Sequence, residues 1–157
     1  MEKLTHIDEK GRPKMVEVSE KADTLREATA KATIYMEKET LERVASFQMA
    51  KGDVLSVAQT AGIMAAKNTA SAIPMCHNIL ISGVDMNFQI NHDKNCIDIY
   101  ATARTIGKTG IEMEAMHAVS IAALTIYDMC KAIDRKMVIS DIMLMKKSGG
   151  KSGTFER

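Results

Sequence analysis

Two alternating runs joined by five polar residues limit the fold more than any other feature. In ILISGVDMNFQI (79–90) and CIDIYATARTI (96–106), apolar side chains return at alternate positions. That is the period of a strand with one buried face. NHDKN, residues 91–95, separates the runs as a polar loop, so the middle of the chain reads as a β-hairpin.

The flanking segments fix what surrounds that hairpin. Residues 111–134 carry the clearest helical pattern, with alanines, a leucine, isoleucines and methionines on one broad face. MVISDIMLM, 137–145, reads as a closing strand. Upstream, Ala28, Ala30, Ala32, Ile34 and Met36 alternate with Thr29, Lys31, Thr33 and Tyr35, which favours a strand over 25–36. Helix is the competing reading there, because alanine is a helix former and Thr24-x-x-Glu27 fits a capping box. A short helix is expected over 38–47. Asp53 then caps a longer one reaching about Ser71, with Val54, Val57, Ala58, Ala61 and Ala65 apolar and Pro74 ending it.

The order is strand, helices, two strands, helix, strand. This βαββαβ plan is the ferredoxin-like α+β arrangement, an antiparallel sheet with helices packed on one face. Residues 1–22 read as a partly flexible arm with a short strand at Met15–Val18. Residues 146–157, KKSGGKSGTFER, read as a tail that is mobile unless a ligand or partner orders it. No repeat or internal boundary is visible, so 1–157 is expected to be one domain.

Composition removes several function classes. A formal net charge of +1 gives no footprint for nucleic acid or a membrane surface. Aromatic residues make up 4%, too few for an RNA-stacking sheet. Three separated cysteines, Cys76, Cys96 and Cys130, are no disulfide framework and fit a reducing cytoplasm. No apolar N-terminal run suggests a signal peptide, and no uncharged stretch reaches the ~18 residues of a membrane span.

Two tetrapeptides, Gly107-Lys108-Thr109-Gly110 and Gly150-Lys151-Ser152-Gly153, invite a phosphate-loop reading. A P-loop needs glycine five positions before the Gly-Lys pair. Thr102 and Met145 stand there, so both fail. The first is better read as a turn, with Thr109-x-x-Glu112 as a capping box. Glu112 and Glu114 put negative charge where a helix would attract phosphate. They suit instead the amide and amino edge of a guanine- or pterin-like ring.

Asp128 and Lys131 share a helix face at i, i+3. They are either a solvated ion pair or an acid/base pair. Lysine beside aspartate stays charged and can grip phosphate, whereas lysine in an apolar pocket can act as a base. Lys51, just before the Asp53 cap, joins Arg26, Lys146, Lys147 and Lys151 as a candidate anion gripper. Cys76-His77 in IPMCHN is not zinc spacing, and no metal site is expected. Glu114 and Asp128 lie fourteen positions apart. On one continuous helix that is ~21 Å. If both serve one small ligand, the site lies between two chains.

LTHIDEKGRPKMVEVSEKA, KGDVLSVAQTAGIMAAK, IPMCHNI, GKTGIEMEA, LTIYDMCKAID and KSGGKSG occur in the order and spacing of one family. The chain closely resembles the cyclic pyranopterin monophosphate synthase family of molybdenum cofactor biosynthesis, over residues 4–153. The combination is specific, although no single motif is. The resemblance implies a ferredoxin-like subunit in a homo-oligomer, a hexamer of three dimers with active sites at subunit interfaces. It implies a small nucleotide-derived substrate, a 3′,8-cyclised dihydro-GTP, and release of pyrophosphate. Asp128 and Lys131 match the catalytic pair, and Lys51 another essential lysine. Met75, Cys76 and His77 match one substrate-contacting loop, and Met113 and Glu114 another. Glu112 and Lys147 lie in matched motifs lining the pocket, with Arg26 expected among the substrate-binding residues. No cofactor is required by such chemistry, and Mg²⁺ can accompany the triphosphate. One departure stands out: Asn78 and Ile79 follow His77 where the family commonly has proline and leucine. The rival expectation is a non-catalytic nucleotide-sensing module on the same fold.

Overall fold

The computed structural model describes residues 6–157. Strand β1 (Thr24–Tyr35) leads into helices α1 (Lys38–Ala45), α2 (Val54–Lys67) and α3 (Thr69–Ala72). The hairpin β2 (Ile81–Asn91) and β3 (Cys96–Gly107) follows, then α4 (Glu112–Cys130), β4 (Val138–Ser148) and a short β5 (Phe155–Glu156). The sheet is antiparallel with order β2-β3-β1-β4-β5. Without β5 this is the expected ferredoxin-like arrangement.

The segment expected over 25–36 is strand through Tyr35, with Thr24 opening β1 rather than capping a helix. The reason is visible in the two faces. Ala28, Ala30, Ala32 and Ile34 are buried together with Ile97, Ile99, Ala101 and Ala103 of β3. Onto this small-residue floor α4 lowers Ala115, Ala118, Val119, Ala122, Ala123 and Ile126, all fully buried. The opposite face is tied by cross-strand polar pairs. Thr29 meets Thr102 at 2.8 Å, Lys31 meets Asp98 at 3.0 Å, and Thr33 donates to Asp98 at 2.6 Å.

Helix α2 runs beside α4 because Gly62 lacks a side chain. A Cβ there would overlap the Met86 sulfur and stand 3.0 Å from the Ala118 carbonyl oxygen. Asp53 caps α2 as expected, accepting from Ser56 N at 3.0 Å. The helix stops earlier than Ser71. Asn68 leaves the helical region, and its amide donates to the Met64 carbonyl at 2.8 Å.

Several local expectations fail. Met15–Val18 form no strand, since no neighbouring strand pairs with them; the described arm has only an Ile7–Pro13 bridge. Thr109 and Glu112 form no capping box. Helix α4 begins at Glu112 with Ile111 at the N-cap and no side-chain cap, so Glu112 is the first helical residue rather than the third. Gly107 and Gly110 adopt no left-handed turn either. The Glu112 carboxylate folds over Gly110, into the place a Cβ there would take. At its other end α4 stops at Cys130, short of 134. Buried Asp134 closes that turn by accepting from Glu37 N at 2.8 Å and Lys136 N at 3.0 Å.

Candidate active site

The expected site residues fall into two groups, one at each end of α4. At the C-terminal end Lys131 Nζ donates to Asp128 Oδ1 at 2.6 Å. Lys51 arrives from the loop between α1 and α2. Its Nζ donates to the Asp128 carbonyl oxygen at 3.1 Å and lies 3.9 Å from Asp128 Oδ2. All three side chains are about half exposed or more. The Lys131 hydrogen bond, with the charges of Lys131 and Lys51, holds the Asp128 carboxyl below its usual range. Asp128 in turn raises Lys131. Of the two readings of this lysine, the geometry favours the charged one, a cation available to phosphate.

At the N-terminal end the setting is dry. Glu114 is 3% exposed. Burial pushes its carboxyl upward, the Glu112 charge adds to that, and its own backbone N–H opposes it. The Cys76 thiol is raised by burial and by the nearby Glu114 charge, so the Met75–His77 loop lies close to this carboxylate. Met113, one residue before Glu114, is 37% exposed and faces outward. Glu112 stands 3.9 Å from Lys147 Nζ, which reaches over from β4. Arg26 sits nearby on β1, with Nε donating to Gly107 O at 2.9 Å and Nη2 to Lys108 O at 3.1 Å.

The loop carrying His77 is held by the N-terminal arm. His77 Nε2 lies 2.8 Å from the Val16 carbonyl oxygen, which can only accept, so Nε2 carries a proton and donates. Asn78 and Ile79 do not disturb that contact.

One loop-holding residue escaped the sequence reading. His117 Nδ1 lies 3.1 Å from Thr69 Oγ1. The Thr69 hydroxyl also lies 3.1 Å from both Ala65 O and Ala66 O. The His117–Thr69 hydrogen bond ties α3, which leads into the Met75–His77 loop, to α4. A scattered histidine with no partner nearby in sequence gave no signal of this.

Helix α4 is continuous, so the ~21 Å between Glu114 and Asp128 stands. One chain thus carries Arg26, Met75–His77, Glu112–Glu114 and Lys147 at one end, and Lys51, Asp128 and Lys131 at the other. A separate groove of about 370 Å³ between α2 and β2, lined by Lys67 and Ile79–Val84, shares no residue with either group. Among the described residues, no set of three or more His, Cys, Asp or Glu side chains could hold a metal ion. No helix among them is long and apolar enough to cross a membrane.

Comparison with known proteins bears on this arrangement. The model of the MoaC family matches residues 15–150. The cyclic pyranopterin monophosphate synthase of Clostridium acetobutylicum is 65% identical, covering 99% of this chain and 97% of its own. That of Thermoanaerobacter pseudethanolicus is 64% identical, covering 98% of each. That of Heliobacterium modesticaldum is 55% identical, covering 100% of this chain and 99% of its own.

Proposed function

This chain belongs to the MoaC family, and we propose on that premise that it is a cyclic pyranopterin monophosphate synthase of molybdenum cofactor biosynthesis. It converts (8S)-3′,8-cyclo-7,8-dihydroguanosine 5′-triphosphate to cyclic pyranopterin monophosphate and pyrophosphate, as a phosphorus–oxygen lyase. The work is opening the imidazole part of the purine, closing a pyrazine ring and forming a cyclic phosphate. Each step moves protons, and none changes the overall oxidation state.

One observation carries the chemistry: Asp128 is exposed yet clasped by two lysines. A carboxylate so placed can exchange protons with substrate once phosphate draws the lysines away. Lys131 and Lys51 then steady the triphosphate and the departing pyrophosphate. A substrate hydroxyl attacks the proximal phosphorus, so holding it in line does much of the work. Glu112, Met113 and Glu114 take the base-derived ring, Met75, Cys76 and His77 cover it, and Lys147 adds a cation at that edge. Mg²⁺ can enter with the triphosphate, and no further cofactor is needed.

The separation along α4 supports a shared site. The acid and two lysines of one chain serve the ring-binding end of another. The assembly is then a homo-oligomer, and we propose a hexamer of three dimers. Relatives bearing the enzyme's name over nearly their whole length give no support to a non-catalytic sensing module.

Incubation with the cyclised triphosphate should release pyrophosphate and a pyranopterin in equal amounts. Tight binding of ordinary GTP with no turnover of the cyclised compound would overturn the reading.

A further inference from the structure

The two Gly-Lys-hydroxyl-Gly tetrapeptides have no part in the chemistry above, yet both meet one side chain. The first is gripped from beneath: Arg26 donates to the Gly107 and Lys108 carbonyls. The second is pressed down from above. Gly149 and Gly150 adopt φ of +93° and +76°. A Cβ on Gly149 would overlap the Leu25 carbonyl oxygen, and one on Gly150 would overlap Arg26 Nη1. The chain then turns back as β5, pairing Lys147 with Phe155 and Lys146 with Glu156. Arg157 N closes this hairpin on the Met145 carbonyl at 2.9 Å. Lys147 is carried on it, hydrogen-bonded to Ser152 at the tip and 3.9 Å from Glu112.

We propose that Arg26 is a positioning residue. Its guanidinium fork clasps the 107–108 turn and seats the 149–150 turn, so the C-terminal hairpin holds Lys147 against Glu112. It acts through Lys147 and not on the reacting atoms. Lysine cannot replace it, because a point charge does not offer two directed bonds to successive carbonyls. Alanine cannot replace Gly150, because the left-handed backbone and the collision with Nη1 act together. What Lys147 grips rests on the function proposed above; the clasp itself does not.

The test uses full-length Arg26→Lys, Gly150→Ala and the double variant. Each single change should raise KM for the cyclised triphosphate by about tenfold or more, with kcat within about threefold. The double variant should be no worse than the worse single, since both undo one clasp. Amide hydrogen exchange over 149–157, measured without substrate, should quicken in both singles. Wild-type exchange in Arg26→Lys would overturn the proposal. So would additive KM effects, or a fall in kcat with KM unchanged, which would mark Arg26 as acting on the reacting atoms. Gly150→Ala leaves the arginine in place, so it probes the clasp even if Arg26→Lys folds poorly. A wild-type chain with no turnover would sink the functional reading, while the exchange arm would still decide the clasp.

Discussion

The two ends of α4 present carboxylates in opposite states. Glu114 is buried, and its carboxyl is pushed up by loss of water. Asp128 is exposed, and its carboxyl is pulled down by neighbouring lysines. On the function proposed above, one end serves recognition in a dry setting, where a buried carboxyl can meet hydrogen-bond donors. The other is built for exchange with anions, where an ion pair open to water can be parted. Neither end alone holds both a ring-binding wall and an acid flanked by cations. On the function proposed above, the contrast makes a single chain the bearer of two complementary halves and not of one complete site.

The largest effect should come from the exchange end. Asp128→Asn or Lys131→Ala should cut pyrophosphate release by about 10²–10⁴-fold, with circular dichroism and oligomeric state unchanged. Turnover within a few-fold of wild type would remove Asp128 from its role. The sharing of halves gives the next largest effect. Glu114→Ala and Asp128→Ala chains, each inactive alone, should regain about a quarter of wild-type activity when randomly mixed in equal amounts. Two-fold pairing leaves one intact site in each mixed dimer, and half the dimers are mixed. No recovery in verified mixed assemblies would place both halves in separate sites.

Stability should separate the ends more gently, and with opposite signs. Glu114 has a folded-state carboxyl raised above 4.5. The folded chain therefore holds its proton longer, and stability falls as pH rises from the unfolded value through the folded one. Glu114→Gln removes that penalty and should raise Tm by about 2–4 °C at pH 7, and less at pH 4. An unchanged or lower Tm at pH 7 would mean that burial of this charge is compensated. Asp128 is lowered below 3.8, so its contribution is present above that value and lost as pH falls through the folded one. The pair sits in water, which screens it heavily. Asp128→Asn should leave Tm at pH 7 unchanged within error, and a clear drop would reveal a structural duty.

The sheet and long helices were legible because they rest on periodicity. The alternation through Ala28–Ile34 outweighed alanine's helix preference, since only a strand puts those residues on one face with Ile97–Ala103. The helical separation of Glu114 from Asp128 was legible for the same reason. What stayed hidden rests on atoms that sequence does not distinguish. Arg26 binds backbone carbonyls at Gly107 and Lys108, and His77 binds the one at Val16. Every residue has such a group. The start of α4 was misjudged because Thr109 and Glu112 have the spacing of a capping box. Glu112 folds instead over Gly110 toward Lys147. The burial of Glu114 depends on tertiary packing, which its place in a helical pattern does not reveal.

The alanines beneath α4 have one more consequence. Alanine has no rotamers to surrender on burial, so this contact forms with little side-chain entropy lost. It also leaves few alternative packings, because much of the contact is made through alanine methyl groups that bring backbone close to sheet. The 19-residue helix therefore rests on a surface that cannot readily rearrange. Its length is a fixed span, and on the shared-site proposal it is a stiff ruler that sets how far apart two neighbouring catalytic centres lie.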